Sequence, residues 1–453
     1  MLTARKPLLL SLTMVFFIIF GSALSAQSPF SDSPVAVKKT IGSPQDTANE
    51  AVISTVAENS ESDSNIFKRI GIFIKKGFDK LVSVIKNRNK PGKLPSYISR
   101  AVLIPGHETA EFVFQGIVPM PTRTALEAAK TDAFYRYIIL SYYPKTDKTS
   151  QPSQLIVIDS LTGRAIRRFA LYLEKGKPYT GHAGGITAAG KYLWVASGYK
   201  LYGFDLQQII SFVAEKSVKT PETLAGGLPP SFKLPARDLI MKRSYPVDST
   251  ASHVSFDGEH LWVGDFVKSS DSKYGPVPHH AANSYKLKTW IAGYRVAKDG
   301  MPTARKKYKF TSDGKSREAY KPDRIILCRE SVQGFAFAKG FVALSISYGA
   351  RSSKLAFYKQ PANSRAFKLT FKPEWQSQTF SAEAWVVDSE THLATLELPA
   401  GSEDLEFDGK VLYVGFEGAS PNYRGKWTKI NPLLKIEDRF YLISPKQIKE
   451  LGL

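Results

Sequence analysis

Thr180-Gly181-His182-Ala183-Gly184-Gly185-Ile186, followed after a turn by Tyr192-Leu193-Trp194-Val195-Ala196, places a small pair and an apolar residue at the head of one strand and an aromatic, β-branched run in the next. The phrase recurs. Its other copies begin at Gln115-Gly116-Ile117, Ser252-His253-Val254, Gln333-Gly334-Phe335 and Glu403-Asp404-Leu405. Steps of 69, 68, 81 and 70 residues separate the corresponding positions Gly116, Gly185, His253, Gly334 and Asp404 of successive copies. A recurring period means one supersecondary unit copied and packed against its neighbours. Repeated all-β units arranged radially make a β-propeller, whose ligand site lies near the axis.

Working outward from each copy, a second strand is read at Tyr137–Tyr143, Tyr192–Ser197, His260–Phe266, Phe341–Ser347 and Val411–Phe416. A third follows at Leu155–Asp159, Leu201–Leu206, Trp290–Val296, Lys354–Tyr358 and Arg439–Ile443. These runs are β-branched and aromatic and are bounded by Gly, Asp, Asn and Lys turns. Outer strands are expected at Ala165–Leu171, Asp238–Tyr245, Ala304–Phe310 and His392–Leu398. The fifth unit has none of its own, and Ala101–Ile104 ahead of the first unit can supply it, closing the ring and removing an exposed sheet edge. The expectation is therefore an all-β propeller over 100–445, with five blades, or six as the alternative, and a tail at 446–453. Insertions at Ser269–Thr289 and Gln360–Ala382 offer lids or partner surfaces.

The N-terminus carries a different message. Arg5 and Lys6, the apolar run Leu8–Phe20 and the small-residue exit Gly21–Ala26 read as a signal peptide over 1–26. It predicts an extracytoplasmic protein, periplasmic or secreted, which stays membrane-anchored if the signal is not cleaved. Residues 27–64 are rich in Ser, Thr, Ala, Pro, Asp and Glu and read as a disordered spacer. Over 65–90, Ile66, Ile70, Ile74, Phe78, Leu81 and Ile85 form an apolar stripe, with Lys68, Arg69, Lys75, Lys76, Lys80 and Lys86 on the remaining arc. This basic amphipathic helix either packs on the propeller or lies on an anionic membrane surface. The whole chain has 62 Lys and Arg against 41 acidic residues, a net +21. Such a balance favours anionic partners: anionic lipid, polysaccharide or a charged, polar small molecule. The charge is spread along the chain rather than gathered on one element, which argues against nucleic acid. Cys328 is the single cysteine, so no internal disulfide forms, and Ile325-Ile326-Leu327 before it reads as a buried strand.

Inner strands lie beside the axis, so the chemistry-bearing residues at their heads are the site candidates: Gln115, His182, His253, Gln333, Glu403 and Asp404. Asp265 and Glu417, which end corresponding strands of units three and five, extend the set as a polar ring at the mouth. Of these, His182, His253, Glu403 and Asp404 are the tentative ligands for a divalent metal ion, or acid–base groups for a bound ester. The competing reading makes them structural lining that hydrogen-bonds backbone and water. Gly116, Gly185 and Gly334 need no ligand, since crowded strands near the axis require residues without side chains. His279-His280 in the first insertion has no carboxylate or thiol beside it in sequence, which argues against metal binding there. No Gly-x-Ser-x-Gly elbow, phosphate loop or dinucleotide fingerprint occurs.

The Thr180–Ile186 phrase with Tyr192–Ala196 resembles secreted bacterial β-propeller proteins that carry a His-Ala-Gly-Gly inner-strand phrase. Gln115-Gly116 leading to Leu140-Ser141-Tyr142-Tyr143, Val332-Gln333-Gly334-Phe335 leading to Ser347-Tyr348-Gly349, and Glu403-Asp404-Leu405 leading to Phe416-Glu417-Gly418 extend the resemblance over roughly Phe112 to Ser444. That group has no assigned reaction, so the resemblance implies fold and export. Its last phrase usually reads Glu-Gly, which makes Asp404 an extra carboxylate in this chain. Five-bladed glutaminyl cyclases and lactonase-type propellers are more distant analogues of architecture only.

Three functional readings follow. The first is an exported propeller that binds an anionic or polar ligand of the cell envelope or a host surface. The second is a metal-dependent hydrolase of an ester, lactone, phosphoester or glycoside with its site in the channel. The third is a membrane-peripheral scaffold for protein partners. Of these, binding ranks ahead of catalysis.

Overall fold

The computed structural model describes residues 94–120, 137–145, 151–215, 232, 234–338, 340–360, 365–374 and 376–451. The expected signal peptide at 1–26, spacer at 27–64 and helix at 65–90 lie outside the described residues. The chain first lays down a short strand, β1 (Arg100–Leu103), and then the first meander: β2 (Phe112–Pro119), β3 (Tyr137–Pro144), β4 (Gln154–Asp159) and β5 (Ala165–Glu174). A two-residue strand, β6 (Lys177–Pro178), leads to the second, built of β7 (Gly185–Ala189), β8 (Tyr192–Ser197), β9 (Lys200–Asp205) and β10 (Ala236–Pro246).

In the third meander β11 (His253–Phe256), β12 (His260–Gly264) and β13 (Thr289–Arg295) are followed by a separate hairpin, β14 (Lys307–Ser312) with β15 (Lys315–Tyr320), before β16 (Arg324–Cys328) completes the sheet. β17 (Val332–Ala338), β18 (Phe341–Ile346) and β19 (Ser353–Lys359) begin the fourth. An inserted hairpin, β20 (Phe367–Phe371) and β21 (Phe380–Val386), precedes its outer strand β22 (His392–Leu398). The fifth consists of β23 (Ser402–Phe407), β24 (Leu412–Phe416) and β25 (Arg439–Ile443), and β1 pairs antiparallel with β25 from Arg100↔Leu442 to Leu103↔Arg439. The last sheet is thus built from both ends of the domain, as the sequence expectation for Ala101–Ile104 required.

The first strands of the five meanders contact one another in a closed cycle, β2 to β7 to β11 to β17 to β23 and back to β2. Radial meanders around a closed hub define a β-propeller. Apolar residues of adjacent sheets face each other and fill the space between them. Phe114, Ile117 and Leu140 share a cluster with Leu405, Val414 and Phe416, and Val254 and Val263 share one with Trp194 and Leu201. Two parallel pairings lace neighbouring units at the perimeter: β5 with β10, and β16 with β21.

Two readings of the sequence change. The outer strand of the third unit is Arg324–Cys328, not Ala304–Phe310, because Lys307–Ser312 closes on Lys315–Tyr320 through Asp313-Gly314, where both residues have positive φ. The Gln360–Ala382 insertion contributes strands to the third sheet as well as surface. Helices also occur in the β region: α1 (Leu206–Ala214), α2 (Pro278–Ala281), α3 (Pro421–Ile430) and α4 (Pro445–Glu450). Asp205 caps α1 by accepting from the backbone N–H groups of Gln207 and Gln208, and Leu206 and Ile209 bury its inner face. α4 occupies the tail, with Ile448 in the core.

Candidate functional site

The five anchor positions meet at the hub. A Cβ on Gly116 would lie 3.0 Å from the Ile186 nitrogen. One on Gly185 would meet the His253 Cα at 2.8 Å, and one on Gly334 the Asp404 Cα at 2.8 Å. Backbone therefore packs on backbone there, which is the close approach that glycine permits. Asp404 fills the centre: its Oδ2 accepts from the Ile117 N–H at 3.2 Å and the Ile186 N–H at 3.1 Å, tying three inner strands together. Its Oδ1 has no hydrogen-bond partner among the described residues. Burial pushes the pKa of this carboxyl well above the usual range, against the lowering effect of the backbone N–H groups it accepts from.

A bulge between Ser402 and Leu405 lets Glu403 and Asp404 both serve the axis. Glu403 turns toward the face on which the inner strands begin, where it accepts from the Gln333 Nε2 at 3.1 Å and shares a hydrogen bond with Glu417. The Glu417 carboxylate accepts from the Gln115 Nε2 at 3.2 Å. Desolvation, then the neighbouring Glu417 carboxyl, raises Glu403 well above the carboxylate range, while desolvation brings Glu417 up to about 7. The pair holds one proton tightly and releases a second near neutrality.

Tyr423 of α3, which also hydrogen-bonds Glu417, and Tyr143 of β3 join their hydroxyls at 2.8 Å above this floor. The Tyr143 ring stacks on His182 at 4.1 Å, and Lys145 Nζ stands 5.6 Å and 5.5 Å from the Tyr143 and Tyr423 ring centres. His182 is open to solvent at the rim, yet desolvation among its neighbours, with repulsion from Lys145 and Lys273, lowers its pKa. Lys273 belongs to a 3-10 turn, Ser272–Tyr274, in the first insertion, which therefore reaches the mouth. At the far end of the axis Glu406 accepts from the Thr187 hydroxyl at 3.3 Å.

Gln115, Gln333, Glu403 and Glu417 thus form one connected floor, and His182 belongs to the wall above it through Tyr143. Asp404 sits beneath as a plug. His253 points elsewhere: it is fully buried, its ring packs edge-on to Phe335 at 5.2 Å, and neither ring nitrogen has a hydrogen-bond partner among the described residues. Burial lowers its pKa to about 3, so the imidazole is neutral. The tentative metal set His182, His253, Glu403 and Asp404 is consequently divided among rim, inter-sheet core, floor and plug. Asp265 lies in another cluster, hydrogen-bonded through Oδ2 to the His280 Nδ1 at 2.7 Å.

Sequence reasoning passed over that cluster. Asp248, His279 and His280 present ligand atoms within 4.8 Å of one another and form a buried group that can hold a metal ion. The signal was the histidine pair. The missing carboxylates came from Asp248, in the connection between the second and third units, and from Asp265. Lys145 and Tyr423 were also unmarked, because they lie past a strand end and in a helix outside the repeated phrase, and Tyr143 was marked only as part of the Leu140–Tyr143 strand run. Two shallow surface hollows, about 320 Å³ beside Arg365, Trp385 and Asp388 and about 500 Å³ beside Asp205, Gln208 and Arg237, contain none of these residues.

Strand order and ring closure place the chain in the class of β-propellers. No family model matches it, and no curated protein matches it. Among solved structures, the crystal structure of Myxococcus xanthus glutaminyl cyclase is similar over 76% of this chain and 94% of that chain, at 8% sequence identity and a TM-score of 0.33. At that distance no residue of the enzyme is carried over.

Proposed function

We propose that the protein is an exported, five-bladed propeller that binds a hydroxyl-rich, anionic ligand, such as an acidic polysaccharide of the cell envelope or a host surface, at the axial mouth. The observation that carries this reading is the connected floor of Glu403, Glu417, Gln115 and Gln333 beneath the Tyr143–His182 stack, with Lys145 and Lys273 nearby. Amides and a half-protonated acid pair both donate and accept, which suits hydroxyl groups. Aromatic faces suit the apolar side of a sugar ring, and lysines suit its carboxylate or sulfate. The apolar run Leu8–Phe20 and the +21 net charge support an extracytoplasmic, anionic setting.

Hydrolysis is the second reading, supported by the Glu417 carboxyl near pKa 7. Glycoside hydrolysis by this pair is disfavoured, because hydrogen-bonded carboxyls stand closer than the roughly 5 Å or more that such enzymes use. The test is an array of neutral, uronate-bearing and sulfated oligosaccharides, followed by calorimetry and product analysis. Saturable binding of the acidic members is expected, weakened about tenfold or more by Glu403→Gln or Lys145→Ala. Equal binding by wild type and both variants, or none to any acidic member, refutes the mouth as the site, and product release moves the assignment to catalysis.

A further inference from the structure

The Asp248 cluster is independent of the axial mouth. From its geometry we infer that Asp248, His279 and His280, with the Tyr308 hydroxyl beside them, form a structural site for a divalent transition-metal ion of the zinc type. Pro278 opens the single turn of α2 and sets the two histidines side by side. His279 Nε2 lies 2.8 Å and His280 Nε2 3.3 Å from Asp248 Oδ2, and Tyr308 donates its hydroxyl to the same oxygen. Two imidazole nitrogens, a carboxylate and a phenol oxygen therefore converge on one point. Mixed nitrogen and oxygen donors of this kind select zinc-like ions, whereas calcium and magnesium take oxygen alone.

Three further observations point to an ion rather than a hydrogen-bonded network. Asp265 fixes His280 from behind through the 2.7 Å contact at Nδ1, which leaves Nε2 to face Asp248; this is the carboxylate–histidine support typical of metal ligands. Asp248 Oδ1 is buried and without a hydrogen-bond partner among the described residues, and His280 Nε2, 3.3 Å from Asp248 Oδ2, is buried without a contact of hydrogen-bonding geometry. Leaving such atoms unpaired in a dry interior is costly. Finally, Asp248 and Asp265 are fully buried carboxylates whose ion-pair partners among the described residues are histidines alone. A dication with two neutral imidazoles cancels both negative charges.

The site is closed: Trp290 stacks on His280 at 4.0 Å, and Phe371 stacks on His279 at 5.7 Å. Closed ligation marks a structural ion, not a catalytic one. Its role is to staple the first insertion to the connection that carries Asp248, and so to hold the Ser272–Tyr274 turn at the mouth.

The test uses the full chain, unfolded in denaturant with a chelator, desalted, and refolded with or without Zn²⁺ or Co²⁺. Expected results are about one Zn²⁺ per chain by mass spectrometry, a higher Tm in the metal-refolded sample, and the visible ligand-field absorption of four-coordinate Co²⁺. His279→Gln should abolish uptake. Asp265→Asn, which keeps every ligand, should weaken it by about 10- to 100-fold, and it stands in if His279→Gln does not fold. Negligible uptake with an unchanged Tm overturns the inference in favour of the hydrogen-bonded network. Equal uptake by wild type and variants overturns it as an adventitious ion only.

Discussion

The Glu403–Glu417 pair makes stability depend on pH in a direction opposite to that of ordinary salt-bridged carboxylates. In the unfolded chain Glu417 has its ordinary pKa of 4.5, and in the folded protein desolvation holds it at about 7. Between those values the folded state keeps a proton that the unfolded state has lost, so the stabilisation linked to Glu417 is fully present below pH 4.5 and is lost as pH rises through 7. Each unit of difference corresponds to about 1.4 kcal/mol, which sets a ceiling of roughly 3 kcal/mol across that window. Glu417 is only half-buried, and solvent screening reduces the expected change to about 2 kcal/mol. Glu417→Gln removes the titration and keeps an amide that can still accept from Gln115. Urea unfolding of wild type and variant from pH 4 to 8 isolates the effect, because the many other titrating groups cancel in the difference. Wild type should be favoured most at the acid end, with its relative stability falling by about 2 kcal/mol toward pH 8. A difference that is flat, or that rises with pH, refutes the shared-proton account of the floor.

Two further substitutions test the hub and the closure. Gly334→Ala would place a methyl group 2.6 Å from the Glu403 carbonyl oxygen and 2.8 Å from the Asp404 Cα, backbone atoms that cannot swing aside. It should cost about 3 kcal/mol, whereas Gly425→Ala inside α3, where nothing lies within 4 Å, should stabilise by up to about 1 kcal/mol; equal effects in chemical denaturation would contradict the close approach. Deleting Arg100–Leu103 strips β25 of its antiparallel partner, so light scattering should detect concentration-dependent association and calorimetry a lower Tm. A deletion mutant that stays monomeric with an unchanged Tm would show that β1 does not seal the sheet.

The fold was legible because its determinants are local and repeated. Alternation, aromatic content and turn residues marked Tyr192–Ser197, Arg439–Ile443 and His392–Leu398 at their observed limits. The glycines at 116, 185 and 334 carried the same steric message in each copy. Assignment failed where pairing partners lie outside the unit. Ala304–Phe310 has strand character, but Asp313-Gly314 turns the chain back on itself and gives the outer position to Arg324–Cys328. The floor of the mouth was partly legible, since Gln115, Gln333, Glu403 and Glu417 flank the repeated phrase. The side chains that complete it were not: Tyr423 lies in a helix between β24 and β25, Lys145 follows the end of β3, and Tyr143 carried only the strand signal of the Leu140–Tyr143 run. His253 looks like its counterparts in sequence, yet the space beside Gly264, where a Cβ would lie 1.9 Å from the His253 Nε2, draws the ring away from the floor. Asp248 and Asp265 could not be tied to His279 and His280 from spacing, because only the packing of the insertion joins them.

The arrangement of the fifth sheet has a consequence for how the molecule is made. β1 is the first strand of the domain to be synthesised, and its partner β25 is the last, with Arg100 finally opposite Leu442. During synthesis β1 waits as an unpaired strand while four other units find their own contacts. Closure is therefore the terminal event of maturation, and pairings of such long sequence separation are slow. Until the final strand docks, the nascent chain exposes two complementary edges, and this is the interval in which chaperone protection matters most.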